Sequence, residues 1–340
     1  VNQHSFKILV TGGAGYIGSH AVVELAQAGF VPVIVDNLVN GSLRMVQGIE
    51  KIIGRTVAFY EGDCRNGTLL DEVFQREKIG AVMHFAALKS VGESVEKPLL
   101  YYNNNLGSLL TLLEVMRKHH VSDIIFSSSC TVYGEPDVIP VTEHAPFKKA
   151  ESPYGATKQM CERILEDVSR NGLRVLSLRY FNPIGAHPSA HIGELPQGVP
   201  SNLVPYLTQT AAGIRKELTV FGNDYNTPDG SCIRDYIHVV DVVRAHVLAL
   251  QYLIRSSERF FFEAFNLGIG RGVSVLELIG LFHEATGVKV PYCIGPRRAG
   301  DVEKIYADPS RIMKELGWKP EYTLKDALRH AWQWQQKLRD

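Results

Sequence analysis

The chain has 340 residues, more than a single hydrophobic core usually organises, so one large domain with a smaller partner is expected. Its 36 Lys and Arg balance 36 Asp and Glu, which leaves no global field to recruit nucleic acid or an anionic membrane. No apolar run approaches the ~18 residues of a membrane span and no signal-peptide pattern opens the chain, so a cytoplasmic protein is expected.

The first elements form a recognisable order. Residues 6–10 are a short apolar run of strand length, Thr11 to Gly18 a glycine-rich turn, and residues 19–28 a helical pattern. Residues 31–35 form a second strand ending at Asp36. Glycines let backbone approach a pyrophosphate at a helix N-terminus, and an acid at the end of the second strand accepts from adenosine ribose hydroxyls while disfavouring a 2′-phosphate. The expected cofactor is therefore NAD.

Further along, strands at residues 56–60, 81–85, 123–126 and 174–178 alternate with helices at 69–77 and 106–119. Such alternation predicts right-handed crossovers in a parallel sheet, with ligands beyond the carboxyl ends of the strands. The fold class read here is α/β, a Rossmann-type doubly wound parallel sheet with a smaller α/β substrate-binding domain. Asp63, Ala86, Ala87, Lys89, Ser129 and Tyr180 all fall at or just after strand ends. Gly and Pro become frequent from about Phe181, which places the NAD-binding domain at 1–181. Residues 182–340 are then mainly the substrate-binding domain, with some segments returning to the sheet.

Tyr154 and Lys158, four residues apart, project from one helix face, with Ser129 upstream. A cation near the phenol favours the phenolate, the state needed to take a proton from an alcohol. Five cysteines without a Cys-x-x-Cys pair read as reduced thiols, and His119-His120 lacks metal-ligand spacing and reads as a helix end, so no metal is expected.

These features belong to longer motifs. They are Val10-Thr11-Gly12-Gly13-Ala14-Gly15-Tyr16-Ile17-Gly18, Asp36-Asn37-Leu38, the segment from His84 to Ser94, and Ser127-Ser128-Ser129-Cys130-Thr131-Val132-Tyr133-Gly134. Tyr180-Phe181-Asn182-Pro183, Arg234-Asp235-Tyr236-Ile237-His238 and Arg298-Ala299-Gly300-Asp301 complete the set. On them the chain resembles the extended short-chain dehydrogenase/reductases and, within those, the UDP-galactose 4-epimerase family along nearly its whole length.

The resemblance implies that Gly12, Gly15, Tyr16, Ile17 and Gly18 hold the pyrophosphate of NAD, Asp36, Asn37 and Asn40 the ribose region, and Asp63 and Cys64 the adenine. Phe85, Ala86, Lys89, Asn104, Ser127, Tyr154, Lys158, Tyr180 and Pro183 would line the remainder. Gly41 and Ala87 depart from the bacterial pattern, which has serine and glycine there. Asn182, Asn202, Leu203, Phe221, Arg234, Tyr236, Arg298 and Asp301 would hold the nucleotide of UDP-galactose or UDP-glucose. The alternative for Arg234 and Arg298 is an ion pair with Asp235 or Asp301.

The implied reaction uses Tyr154 to take the sugar 4′-hydroxyl proton while hydride leaves C4′, with Ser129 steering the same oxygen and Lys158 supporting the phenolate. The keto sugar swings about its diphosphate and takes the hydride back on its other face. Ile305 would flank the sugar C2 substituent and disfavour N-acetylated sugars, or else pack in the core. A homodimer through the Leu106, Leu109, Leu110, Leu113 helix and the helix after Tyr154 is expected, although the same stripe could be core. Besides an epimerase of N-acetylated UDP-sugars, two rival functions are a 4,6-dehydratase and a non-catalytic NAD-binding regulator. The first would need carboxylates where Cys130-Thr131 stand, and the second has no use for Tyr154, Lys158 and Ser129 together.

Overall fold

The computed structural model describes residues 5–298 and 301–338. Ala299 and Gly300, part of one family motif, lie outside the described residues. In the first half strands are separated by helices, two of them between β4 and β5: β1 (Lys7–Thr11), α1 (Tyr16–Gln27), β2 (Val31–Asp36), α2 (Leu43–Ile53), β3 (Ala58–Glu61), α3 (Gly67–Glu77), β4 (Ala81–His84), α4 (Val91–Glu96), α5 (Pro98–Lys118), β5 (Asp123–Ser129), α6 (Pro153–Ser169) and β6 (Arg174–Tyr180). Shorter elements follow: β7 (Asn182–Ile184), α7 (Leu203–Ala211), β8 (Leu218–Phe221), β9 (Ile233–Arg234), β10 (Tyr236–His238), α8 (Val239–Arg255) and β11 (Phe261–Leu267). The chain closes with β12 (Val273–Ser274), α9 (Val275–Thr286), β13 (Tyr292–Gly295), β14 (Lys304–Ile305), α10 (Ser310–Leu316) and α11 (Leu324–Lys337).

Seven strands form one parallel sheet in the order β11-β6-β5-β4-β1-β2-β3. This is the doubly wound sheet that the alternation predicts, with β11 added beside β6 from far along the chain. Successive side chains on a strand point to opposite faces, and both faces here are apolar. Ile8, Val10, Ile34 and Met83 pack with residues of α1, α2 and α8, while Leu9, Val33, Val35 and Val82 pack with α3, α5 and α6. Burial on two sides explains why the strands read as continuous apolar runs.

A second core gathers α7, α9 and α11 around small sheets, β10 beside β7, β13 beside β8, and β9 between β12 and β14. Among the described residues no helix is long and apolar enough to cross a membrane. All five cysteines are free.

Boundaries differ from the sequence reading in two informative places. Helix α1 starts at Tyr16, three residues before the predicted start, because the glycine turn itself ends in helical backbone. Helix α5 starts at Pro98 rather than 106, because proline is pre-organised for a first helical position while Asn103-Asn104-Asn105 interrupts the apolar period there. On that helix Leu109 and Leu113 are core and Leu110 is exposed, so the predicted stripe divides between the two uses.

Candidate active site

Strand order reverses between β1 and β4, which opens a crevice at their carboxyl ends. The glycine turn sits in it. Gly12 has φ +72 and its N–H donates to the Val35 carbonyl at 2.8 Å, and a Cβ there would stand 2.8 Å from the Ala86 nitrogen. A Cβ on Gly18 would stand 2.1 Å from the Gly12 carbonyl oxygen, so only glycine lets α1 begin tight beneath the turn. Gly15 caps α1 without a side-chain hydrogen bond and the first turn holds no acid. Its end thus keeps N–H groups and a positive dipole for an anion. Ile17 packs on the core, and the Tyr16 hydroxyl donates to the Gly185 carbonyl at 2.7 Å, tying this turn to the loop after β7.

At the end of β2 the Asp36 carboxylate accepts from the N–H groups of Ala14 at 3.0 Å and Leu38 at 2.8 Å. Burial nevertheless raises its pKa. Gly41 passes so close that a Cβ would lie 2.7 Å from the Asp36 Oδ1, which gives the departure from serine a structural correlate. The Asn37 side chain faces Asp63, which Arg65 holds at 2.7 Å, and Cys64 is buried with its thiol pushed up to about 12. Asn40 lies exposed on the adjoining loop. An uncapped helix end, glycines at close approach and a held carboxylate one strand over are the features a dinucleotide needs, and the residues present fit one.

The catalytic candidates come from the end of β5, which carries Ser129, and from the first turns of α6, which carry Tyr154 and Lys158. Ser152 caps α6 by accepting from the Gly155 N–H at 3.2 Å, and Pro153 opens the helix, which puts Tyr154 in the first turn and Lys158 one turn on. Lys158 is buried. Its ammonium donates to the Ser127 carbonyl at 2.6 Å, sits 4.8 Å from the Phe126 ring centre and is 5.9 Å from that of Tyr154. Tyr154 is half-buried, yet the protein around it pushes its pKa up to about 12 and the facing Ser129 hydroxyl offsets only part of this. Burial pulls Lys158 down to about 8. The expectation that Lys158 would itself make the phenol acidic is therefore corrected: desolvation outweighs the through-space attraction of an ammonium engaged elsewhere.

Phe85 and Ala86 leave β4 toward the same cleft, and Tyr180 ends β6 directly opposite Ser129 in the sheet register. Asn104 lies on α5, its amide donating to Asn105 at 3.0 Å. Pro183 and Asn182 stand on β7, beside Ile237 and Tyr236 of β10, and the Asn182 Oδ1 is buried without a hydrogen-bond partner. A buried acceptor left unpaired costs free energy unless a ligand donates to it.

The nucleotide-side candidates are looser. Arg298 pairs with Asp301 at 2.7 Å and Arg234 approaches the same carboxylate at 3.7 Å, so the ion-pair alternative describes the geometry. Asp235 takes no part; it accepts the N–H groups of Ile269, Gly270 and Ala307. The Arg298 guanidinium stands 5.6 Å from the exposed Phe221 ring. Asn202 caps α7 ahead of Leu203, and its amide donates to Glu194 at 2.6 Å. Ile305 is 4% exposed and packs with Cys130, Val132, Tyr133 and Phe181.

Two residues without a sequence signal join this site. Glu194 accepts from both Lys89, at 2.9 Å, and Asn202, bridging segments far apart in the chain. His246, on the apolar helix α8, meets Tyr180 and Phe85. Among the described residues no group of three or more His, Cys, Asp or Glu is arranged to hold a metal.

The family model described as GDP-mannose 4,6 dehydratase matches residues 9–331. A UDP-glucose 4-epimerase of Dictyostelium discoideum is 52% identical over 331 residues, 97% of this chain and 95% of that relative. The chain belongs to the UDP-glucose 4-epimerase family. A UDP-glucose 4-epimerase of that family from Stenotrophomonas maltophila, solved with bound NAD and formylated UDP-arabinopyranose, superposes with a TM-score of 0.95 at 49% identity, covering 98% of this chain and 99% of that one. The Bifidobacterium longum epimerase, solved with NAD+ and UDP, gives a TM-score of 0.94 at 47% identity over 97% and 98% of the two chains.

Proposed function

We infer that this protein is an NAD-dependent isomerase that interconverts UDP-galactose and UDP-glucose by reversible 4-epimerisation through a transient 4-keto sugar. The observation that carries the reading is the gathering of Tyr154 and Lys158 of α6 against Ser129 and Ser127 at the carboxyl end of β5, in the same parallel sheet whose β1 leads into the glycine turn. NAD, when bound, supplies the acceptor for the C4′ hydride and the means of returning it. The residues proposed to hold it are Gly12, Gly15, Tyr16, Ile17, Gly18, Asp36, Asn37, Asn40, Asp63, Cys64, Phe85, Ala86, Lys89, Asn104, Ser127, Tyr154, Lys158, Tyr180 and Pro183.

Tyr154 takes the 4′-hydroxyl proton and returns it, the work of a general acid and base. A phenol pushed to about 12 by burial stays protonated at neutral pH and so holds the proton for the return step, and any added positive charge near it favours the phenolate that takes a proton. Ser129, facing the phenol, holds the same sugar oxygen. Lys158, fixed to the Ser127 carbonyl, keeps its charge beneath the site. Asn182, Asn202, Leu203, Phe221, Arg234, Tyr236, Arg298 and Asp301 anchor the uridine diphosphate, since arginine forks suit phosphate oxygens and an exposed ring suits a base. This requires Arg234 and Arg298 to share or exchange Asp301 for phosphate. Ile305 limits the space beside sugar C2.

A 4,6-dehydratase is disfavoured by the residues that follow Ser129. The Cys130 thiol is pushed up to about 12 by burial and the Thr131 hydroxyl is buried without a partner, so neither serves as a carboxylate would. Residues 1–181 then form the NAD-binding domain and 182–340 mainly the sugar-nucleotide domain. A cytoplasmic homodimer is the assembly proposed, with Leu99 and Leu110 of α5 and Met160 of α6, all exposed, facing the second copy. The experiment is incubation of the purified protein with UDP-galactose and no added NAD. Formation of UDP-glucose is expected; a 4-keto-6-deoxy product, or bound NAD without turnover, overturns the reading.

A further inference from the structure

His246 stands on α8, fully buried, with its ring centre 4.9 Å from that of Phe85 and 5.3 Å from that of Tyr180. Its Nδ1 lies 2.8 Å from the Val242 carbonyl oxygen, and its Nε2 lies 2.8 Å from the Tyr180 hydroxyl. A carbonyl oxygen can only accept, so Nδ1 carries the proton. A neutral imidazole has one N–H, so Nε2 offers a lone pair and the Tyr180 hydroxyl must donate to it. Full burial keeps the ring neutral, holding its pKa down at about 4. The hydroxyl's single proton is therefore committed to α8, and to its other neighbours Tyr180 offers lone pairs only.

We propose that His246 is a positioning residue that sets the polarity of the Tyr180 hydroxyl, making that side of the cofactor cleft a hydrogen-bond acceptor rather than a donor. The inference rests on the epimerase reading for its functional consequence, although the hydrogen-bond direction does not. Ser127, whose side chain faces the Tyr180 hydroxyl, belongs to the strand that supplies Ser129. One imidazole thus orients a tyrosine that lies beside both the Ser127 end of β5 and Tyr154, without touching the reacting atoms itself. Its anchor is a one-turn hydrogen bond within α8, which ties the cleft to the far layer of helices.

The test compares His246→Asn, whose amide retains the Nδ1-like donor to Val242 but does not reach Tyr180, with His246→Gln, whose amide oxygen falls near the Nε2 position. Ultraviolet resonance Raman spectra of each, taken as differences from the matching Tyr180→Phe protein, report whether the Tyr180 hydroxyl donates. This readout needs neither turnover nor NAD. Parent and His246→Gln should show a donating phenol and His246→Asn should not. NAD release should quicken and kcat fall by about tenfold in His246→Asn, with most of both recovered in His246→Gln. In a Tyr180→Phe background the Asn change should add less than about twofold, since a residue acting through another loses its effect when the second is removed. A Tyr180 signal unchanged by His246→Asn, or the same loss in both backgrounds, overturns the proposal. If parent protein fails to epimerise UDP-galactose, the functional reading fails while the spectra still decide the hydrogen-bond direction. Thermal melts of all variants separate misfolding from loss of polarity, and should His246→Asn not fold, a non-donating Tyr180 in the parent spectrum overturns the proposal alone.

Discussion

The Lys158 ammonium donates to the Ser127 carbonyl at 2.6 Å, which stations its charge 5.9 Å from the centre of the Tyr154 ring. At that separation it acts on the phenol through space. Lys158→Ala should slow epimerisation and move the pH optimum upward, because the phenolate loses a nearby cation. Rates of the variant and parent across pH check this; a profile of unchanged shape would leave Lys158 a role in holding the cofactor alone.

Tyr154→Phe should reduce turnover by ~100- to 10,000-fold, the usual loss for a general acid-base group, while leaving NAD bound. Steady-state rates together with the nucleotide content of the purified variant are the measurements. Activity within a few-fold of the parent would remove the phenol from the mechanism.

Behind the catalytic helix lies a buried polar cluster. Glu162 of α6 pairs with Arg179 at 2.6 Å and accepts from Ser128 and Ser177, so the helix bearing Tyr154 is bolted to β5 and β6. Removing one partner of a buried pair leaves an uncompensated charge. Glu162→Ala should cost about 3–5 kcal/mol of stability, read from the urea midpoint. A loss below about 1 kcal/mol, the scale of an exposed pair, would show that Arg179 is satisfied elsewhere.

Buried histidines make the fold acid-sensitive. Burial lowers His20 and His84 to about 3, His238 to about 2 and His246 to about 4, from an ordinary 6.5. The unfolded chain therefore binds more protons than the native one below about 6.5, so stability is whole above that value and falls as pH drops toward 4 and below. Each contributes a slope of at most about 1.4 kcal/mol per pH unit. Urea midpoints between pH 7.5 and 5 should decline, and a flat or rising series would contradict the burial of these rings.

Ile305 is expected to favour UDP-galactose and UDP-glucose over their N-acetylated forms by roughly tenfold, since overpacking by ~1–3 kcal/mol spans that factor. Ile305→Ala should gain relative activity on the N-acetylated pair. Because the side chain is buried with Cys130 and Phe181, the same change should cost about 2–5 kcal/mol of stability. Side-by-side turnover of both substrate pairs, with a melt, decides between a gate and a purely structural side chain: equal use by the parent, or no relative gain in the variant, removes the gate.

What was legible in the sequence was local. The turn from Gly12 to Gly18 before α1, Asp36 at the end of β2, the strand and helix alternation, and the one-turn spacing of Tyr154 and Lys158 all follow from backbone period and the conformational range of glycine. Relationships between distant residues were decided only when the chain folded. Apolar period marks Leu106 to Leu113 as a stripe, but packing alone sorts Leu109 and Leu113 inward and Leu110 outward. Nothing in the run around residue 261 announces that β11 will lie beside β6, nor in α8 that His246 will meet Tyr180, since these pairings depend on which surfaces remain to be covered. The Tyr154 pKa is the sharpest case. Spacing alone suggested a cation-stabilised phenolate, but the depth of protein around the ring and the diversion of Lys158 to a backbone carbonyl make desolvation the larger effect, and depth exists only in three dimensions.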